Sequence, residues 1–176
     1  KSVFITRINS DINTINDIKC TKLSFGIKDS TQWHLIPRII LKKNNIYLTN
    51  LKHYQYTGSH QECAEAVLSG RYDVCAMQEK LAKKLARQGL VKIIHTSSPY
   101  PSSGIAVSSK VPNDIVEIVQ KALLEFQPQG RDKEGMYHWE YTEMPLGFVT
   151  ATSKDYDELR VMANQFRLLD EEKSSQ

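Results

Sequence analysis

The order of apolar and polar residues along the chain alternates between strand-like and helix-like segments. Short β-rich or apolar runs predict strands, and the longer amphipathic runs between them predict helices. The predicted strands cover residues 2–7, 22–26, 51–57, 72–77, 91–97 and 105–109. The predicted helices cover residues 31–44, 59–70, 78–89, 113–127 and 153–169. This alternation is typical of a layered α/β protein with a mostly parallel sheet.

The first long helix carries a wide apolar stripe, which is suited to packing on a sheet. Its members are Trp33, Leu35, Ile36, Ile39, Ile40 and Leu41. Pro37 lies inside this pattern, and an interior proline removes one backbone hydrogen bond. We therefore expect a kink at Pro37 or a helix that begins late.

Two strand-to-helix junctions carry small polar residues where a helix exposes unpaired amides. They are "GIKDSTQ" (26–32) and "TGSH" (57–60), and the second places His60 at the start of its helix. Ligands of open α/β sheets bind at the carboxyl ends of strands, and helix N-termini favour anions. Ser, Thr and Asp are also ordinary helix caps, so one junction alone indicates only a cap. Two junctions, one of them with a histidine, favour an anion site.

Composition and charge exclude several classes of function. The chain has 176 residues, of which 40% are hydrophobic and 24% charged, with a net charge of +3. These values are typical of a soluble globular protein and give no reason to expect nucleic-acid binding. The sequence has no apolar run of roughly 18 residues that would predict a membrane helix. Its N-terminal apolar run is too short for a signal peptide. We expect that a signal was removed or that the chain is a piece of a longer protein.

The sequence offers little support for catalysis or for a metal. The three cysteines, Cys20, Cys63 and Cys75, lack metal-type spacing, and we expect buried thiols. There is no G-x-S-x-G, H-E-x-x-H or P-loop pattern. No nucleophile is paired with His60 in a known motif. We therefore predict no catalytic residue, no metal and no cofactor.

Four segments in order along the chain resemble the phosphonate/phosphite-binding periplasmic proteins, the substrate-binding components of ABC importers. They are "LSFGIKDSTQWHLIPRIILKKNNI", "YTGSHQECAEAVLSGRYDVCAM", "SSPYPSSGIAV" and "GFVTATSKDYDELRVM". The resemblance implies a type II periplasmic-binding fold, with a three-layer α/β lobe and a partial second lobe. Residues 8–97 would form lobe 2, and residues 1–7 and 98–105 would be the hinge crossings. Residues 106–176 would be the C-terminal part of lobe 1.

The resemblance also implies which residues contact the ligand. Small hydroxyl residues at the first junction and the histidine at the second hold phosphonate oxygens in the family. The residues predicted to line the site are Ser30, Thr31, Gln32, Ser59, His60, Lys80 and Ser103. Lys80 stands where relatives that bind an aminoalkyl phosphonate carry an acidic residue, and Ser103 stands where the family often carries another. Loss of both carboxylates favours a bare oxyanion, unless Glu79 reaches into the site.

The family's chains contain a long segment before "SVFITR" that builds most of the first lobe. A chain without this segment would expose apolar surface and favour a homodimer or another partner.

We interpret the chain as an extracytoplasmic solute-binding module for a phosphonate-, phosphite- or phosphate-like oxyanion, which would work with an ABC permease. Such a module works by closing around its ligand. The alternative is the ligand-sensing domain of a membrane signalling protein, such as a histidine kinase. An enzyme that uses His60 as a base and a degenerate or scaffold protein are further hypotheses.

Overall fold

The computed structural model describes residues 1–28, 30–101, 104–139, 142 and 144–168. The chain forms two compact units. The first contains Lys1–Tyr100 together with the segment that begins at Leu159, and the second is Pro101–Glu158.

A five-stranded mixed sheet forms the centre of the first unit. Its strands, in the spatial order β3-β2-β4-β1-β5, are β1 (Ser2–Arg7), β2 (Lys22–Phe25), β3 (His53–Tyr56), β4 (Val74–Gln78) and β5 (Val91–Thr96). β2 runs parallel to β3 and to β4, whereas β1 runs antiparallel to β4 and to β5. Four strands therefore point in one direction and β1 in the other, so the expected mostly parallel sheet has one reversed strand.

Helices cover both faces of this sheet. They are α1 (Ile36–Lys43), α2 (His60–Leu68), α3 (Glu79–Arg87) and α5 (Asp157–Gln165), and α4 (Asn113–Glu125) lies in the second unit. A π-helical turn, Thr31–Leu35, precedes α1 and places Pro37 in the first turn of the α-helix. Proline is tolerated there because the amides of a first turn have no intrahelical partner. The expected late start of this helix is confirmed.

Two apolar clusters make the first unit a three-layer structure. Phe4, Leu23 and Phe25 of the sheet share one cluster with α1 and with apolar residues from 159 onward. Val3, Ile5 and Met77 share the other with α2 and α3. Neighbouring residues of β1 enter opposite clusters because side chains alternate across a strand. The assignment of residues 106–176 to one lobe stays a prediction, and Leu159 and Met162 pack in the core of the first unit.

The sequence prediction for the second unit was partly wrong. Residues 105–109 were expected to be a strand, but they are irregular and exposed. A strand needs a neighbour for its amides and carbonyls, and the described part of this unit offers none. Most of α4 is exposed, including Ile115, Ile118 and Val119.

The expectation of buried thiols was also wrong. Cys63 of α2 and Cys75 of β4 form a disulfide across a Cα–Cα distance of 5.8 Å. The linear sequence does not show that α2 lies against β4, and this contact brings the two sulfurs together. Cys20 is a free cysteine and is exposed.

Candidate functional site

Three helices begin at one edge of the sheet. β2 has β3 and β4 as parallel neighbours, so the carboxyl ends of these strands lie at the same edge. The turn at Thr31 follows β2, α2 follows β3, and α3 follows β4. The unpaired amides of three helix N-termini therefore lie at this edge. Ligands of open α/β sheets bind at this end of the strands.

Ser30 caps the helical turn at the first junction. Its hydroxyl accepts a hydrogen bond from the amide of Trp33 at 3.3 Å, and its carbonyl accepts from the amides of His34 and Leu35. Thr31 is exposed and Gln32 is half-buried. Asp29, which precedes the cap, lies outside the described residues. The hydroxyl of Ser30 thus serves the local backbone in this arrangement.

The buried His34 stabilises this junction through hydrogen bonds to two other residues. Nδ1 of His34 lies 2.5 Å from the carbonyl of Lys28, and its Nε2 lies 2.9 Å from the hydroxyl of Tyr56. Because a carbonyl can only accept, Nδ1 is the protonated nitrogen and Nε2 accepts from Tyr56. His34 thereby ties the loop before Ser30 to strand β3. Sequence analysis missed this role because Tyr56 lies 22 residues away on another element.

Ser59 caps α2 at the second junction. Its hydroxyl accepts from the amide of Glu62 at 3.1 Å, and the Glu62 carboxylate accepts from the amide of Gly58 at 2.7 Å. This reciprocal arrangement resembles a capping box and fixes where the helix begins. The hydroxyl of Thr57 donates to the carbonyl of Phe25 at 2.8 Å. That bond joins the second junction to the end of β2, where the first junction starts.

His60 is the most unusual residue at this edge. It is only 7% exposed, and within the described part of the chain neither of its ring nitrogens has a hydrogen-bond partner. Buried polar side chains are nearly always hydrogen-bonded, so such an orphaned imidazole needs an explanation. Burial lowers the pKa of His60 from 6.5 to about 4. The imidazole is therefore neutral near pH 7.

Trp33 lies directly against His60. The centroids of their rings are 3.4 Å apart, and the ring planes make an angle of 50°. Trp33 also packs against Gly26, where an added Cβ would stand 2.6 Å from Cβ and 2.7 Å from Cε3 of Trp33. The sequence placed Trp33 in the apolar stripe of the helix and gave no signal for this contact. The contact between Trp33 and His60 therefore joins the first junction to the second junction.

The remaining predicted site residues lie farther along the chain. Lys80 is exposed in the first turn of α3, at the same edge of the sheet. The Glu79 carboxylate lies 2.9 Å from Nζ of Lys83, and the hydrogen bond from Lys83 lowers the pKa of Glu79. Ser103 lies outside the described residues. Among the residues that the structure describes, no cluster of His, Cys, Asp and Glu side chains could hold a metal ion.

The architecture is that of a type II periplasmic-binding protein. PhnD1 from Prochlorococcus marinus (MIT 9301), solved in complex with methylphosphonate, superposes with a TM-score of 0.75 at 17% identity; the alignment covers 94% of this chain and 66% of that one. A binding protein component of an ABC phosphonate transporter from Pseudomonas aeruginosa gives a TM-score of 0.59 at 14% identity, over 99% of this chain and 68% of that one.

Sequence comparison identifies the family. The model for the periplasmic substrate-binding protein of phosphonate ABC transporters matches residues 1–156. "Probable ABC transporter phosphite binding protein PhnD1" of Prochlorococcus marinus (strain MIT 9301) is 29% identical over 89 residues, which are 46% of this chain and 30% of that protein. The chain therefore belongs to the family of phosphonate-binding periplasmic proteins of ABC transporters.

Two further facts follow from these comparisons. The chain spans about two thirds of the length of the solved relatives that it matches. The family is periplasmic, and its members bind and deliver substrates and are not in general enzymes. None of the helices in the described ranges is long and apolar enough to cross a lipid bilayer.

Proposed function

We propose that this chain binds a small phosphorus oxyanion, such as a phosphonate, phosphite or phosphate, for an ABC importer. The ligand would sit at the sheet edge where the turn at Thr31 and helix α2 begin. The observation that carries this proposal is the environment of His60. Its imidazole is buried at the N-terminus of α2, and both of its nitrogens lack a hydrogen-bond partner among the described residues.

The local electrostatics suit an anion. The first amides of a helix have no intrahelical partner, and the helix dipole adds a favourable interaction of about 0.3–1 kcal/mol with a negative charge. A neutral imidazole still carries one N–H that can donate to an oxygen of the ligand. Ser30 and Thr31 add hydroxyl groups at the other helix start. Hydrogen bonds to an anion are about twice as strong as those between neutral groups.

The charges near this edge favour a ligand without an amine. An ammonium group would need a carboxylate partner, but the Glu62 carboxylate accepts from the amide of Gly58 and the Glu79 carboxylate is paired with Lys83. Lys80 lies in the first turn of the same helix and adds positive charge. The methylphosphonate complex of the structural relative supports a simple alkyl phosphonate as a ligand class.

We also propose that the ligand is bound and released without reaction. The support for this is the family, whose members are not in general enzymes, and the lack of a side-chain nucleophile hydrogen-bonded to His60 in the described part of the chain. The family is one of transport proteins, and no observation favours the sensor-domain alternative. A membrane permease would receive the ligand, as the family implies.

A thermal-shift panel tests the ligand class. The 176-residue chain would be heated with phosphate, phosphite, methylphosphonate, 2-aminoethylphosphonate or sulfate. A ligand at a hundredfold excess over its Kd raises the stability by about 2.7 kcal/mol. We expect a clear increase in Tm with at least one phosphorus oxyanion and a smaller increase with 2-aminoethylphosphonate than with methylphosphonate. A larger increase with the amine-bearing ligand would contradict the proposed ligand class.

A further inference from the structure

We propose that Trp33 is a gate over the oxyanion site, whose indole must leave His60 before a ligand can reach the imidazole. The inference rests on the proposed function and adds the regulation of that same site. It starts from the observation that neither nitrogen of His60 is accessible to solvent.

The distance between the two rings excludes a ligand between them. A hydrogen bond to His60 requires an oxygen about 2.7–3.2 Å from a ring nitrogen. The centroids of the Trp33 and His60 rings are only 3.4 Å apart, so the indole covers a face of the imidazole, and both ring nitrogens are buried. An oxyanion can therefore contact His60 only after the groups that bury these nitrogens have moved, and we assign that movement to the indole of Trp33.

The backbone that carries His60 is more firmly held than the backbone that carries Trp33. Its helix α2 is capped by Ser59 and joined to β4 by the disulfide between Cys63 and Cys75. Trp33 lies instead in the π-helical turn that precedes α1. π-Helical turns are rare and occur frequently at functional sites. We therefore place the movement in the turn that carries Trp33.

Ser30 couples ligand binding to the release of Trp33. In this structure the Ser30 hydroxyl accepts a hydrogen bond from the amide of Trp33 at 3.3 Å. The same hydroxyl is one of the groups proposed to donate to the oxyanion. When Ser30 turns toward a ligand, the amide of Trp33 loses its cap and the turn that carries the indole is loosened. The gate thus opens through the residue that contacts the ligand.

The indole of Trp33 must leave its closed position before the oxyanion binds, so the gate weakens the apparent affinity for the oxyanion. A ligand that needs a minor conformation binds with an apparent Kd raised by the inverse of the population of that conformation. An aromatic contact of this kind corresponds to roughly a two- to twelvefold change in an equilibrium constant. Removal of the indole in Trp33→Ala should therefore tighten oxyanion binding by roughly this factor. Trp33→Phe should give a smaller increase because a phenyl ring covers less of His60.

Tryptophan fluorescence measures the movement directly. The chain has two tryptophans, and Trp139→Phe leaves Trp33 as the single indole. In that background we expect methylphosphonate to shift the emission to the red and to increase quenching by acrylamide, because the indole moves toward water. Binding with unchanged or blue-shifted emission, or weaker binding by Trp33→Ala, would overturn the gate and leave the proposed function intact.

A ligand-independent measurement separates the two proposals. The His60 ring can be titrated by NMR in the parent chain and in Trp33→Ala, with His60→Ala to assign its signal. If the indole covers His60, removal of the indole in Trp33→Ala raises the pKa of the imidazole from about 4 toward 6.5. An unchanged pKa would refute the gate whether or not any ligand binds. A raised pKa, with no phosphorus oxyanion bound by either protein, would support the cover over His60 and refute the proposed function.

Discussion

His60 gives the protein a specific dependence of stability on pH. Its pKa is about 4 in the folded protein and 6.5 as an ordinary histidine, so the unfolded chain takes up the proton first as the pH falls. The contribution to stability is complete above pH 6.5 and is lost progressively between pH 6.5 and 4. His60→Gln should therefore flatten this part of the stability curve, measured by urea unfolding.

The half-buried His95 provides the matched control. Burial also lowers its pKa, though without the orphaned nitrogens of His60. His95→Gln should remove a smaller part of the same pH dependence. If His60→Gln left the curve unchanged between pH 6.5 and 4, the imidazole would not be buried as the structure shows it.

Residues with local roles could be predicted from the sequence, and residues with distant partners could not. Ser30 and Ser59 cap helices as expected, because a cap depends on amides three residues away. Trp33 and His34 owe their roles to residues on other elements, namely His60 and Tyr56. No spacing in the sequence indicates that these side chains meet. The proposed site thus combines predicted positions with contacts that only the fold reveals.

At the level of elements, the disulfide between α2 and β4 gives the clearest prediction about stability. Closing a loop over a sequence separation of 12 residues stabilises a protein by about 3 kcal/mol in the chain-entropy description. The double variant Cys63→Ala, Cys75→Ala should lower the free energy of unfolding by about this amount, measured by chemical denaturation. The orphaned His60 should be less firmly held, because it begins the same helix.

Cys20 offers a control for the removal of sulfur. It is exposed and outside the disulfide, so Cys20→Ala should change the stability by less than about 0.5 kcal/mol. Addition of a thiol reductant should destabilise the parent chain and leave the double variant unaffected. Equal stability of the parent chain and the double variant would show that the two sulfurs are not bonded in solution.

The predicted elements of the first unit match the structure because periodicity and packing agree there. Alternating side chains on β1 enter two different clusters, and α1 and α2 cover opposite faces of the sheet. The predicted strand at 105–109 failed because periodicity describes one segment and a strand also requires a partner. Likewise, no sequence rule showed that β1 would run against its neighbours. Elements were thus predictable, while the pairing between them was not.

For the whole molecule, the order of four sequence landmarks indicated the family, which the comparisons confirm. The fold persists at 17% identity to its structural relative, which is possible because protein cores tolerate many apolar substitutions when their volume and pattern are kept. The lobe boundaries at 1–7, 8–97, 98–105 and 106–176 stay predictions. Exposed apolar residues on α4 are typical of a surface that another chain or segment covers, so self-association also stays a prediction.

One calorimetric comparison tests the central claim that His60 belongs to an oxyanion site. Methylphosphonate would be titrated into the parent chain and into His60→Ala near pH 7, with Lys43→Ala as a control on an exposed residue at the far end of α1. A hydrogen bond to a charged group contributes about 1.5–3 kcal/mol, so the loss of His60 should raise the Kd at least about tenfold. Lys43→Ala should bind as the parent chain does. Equal Kd values for the parent chain and His60→Ala would contradict the account.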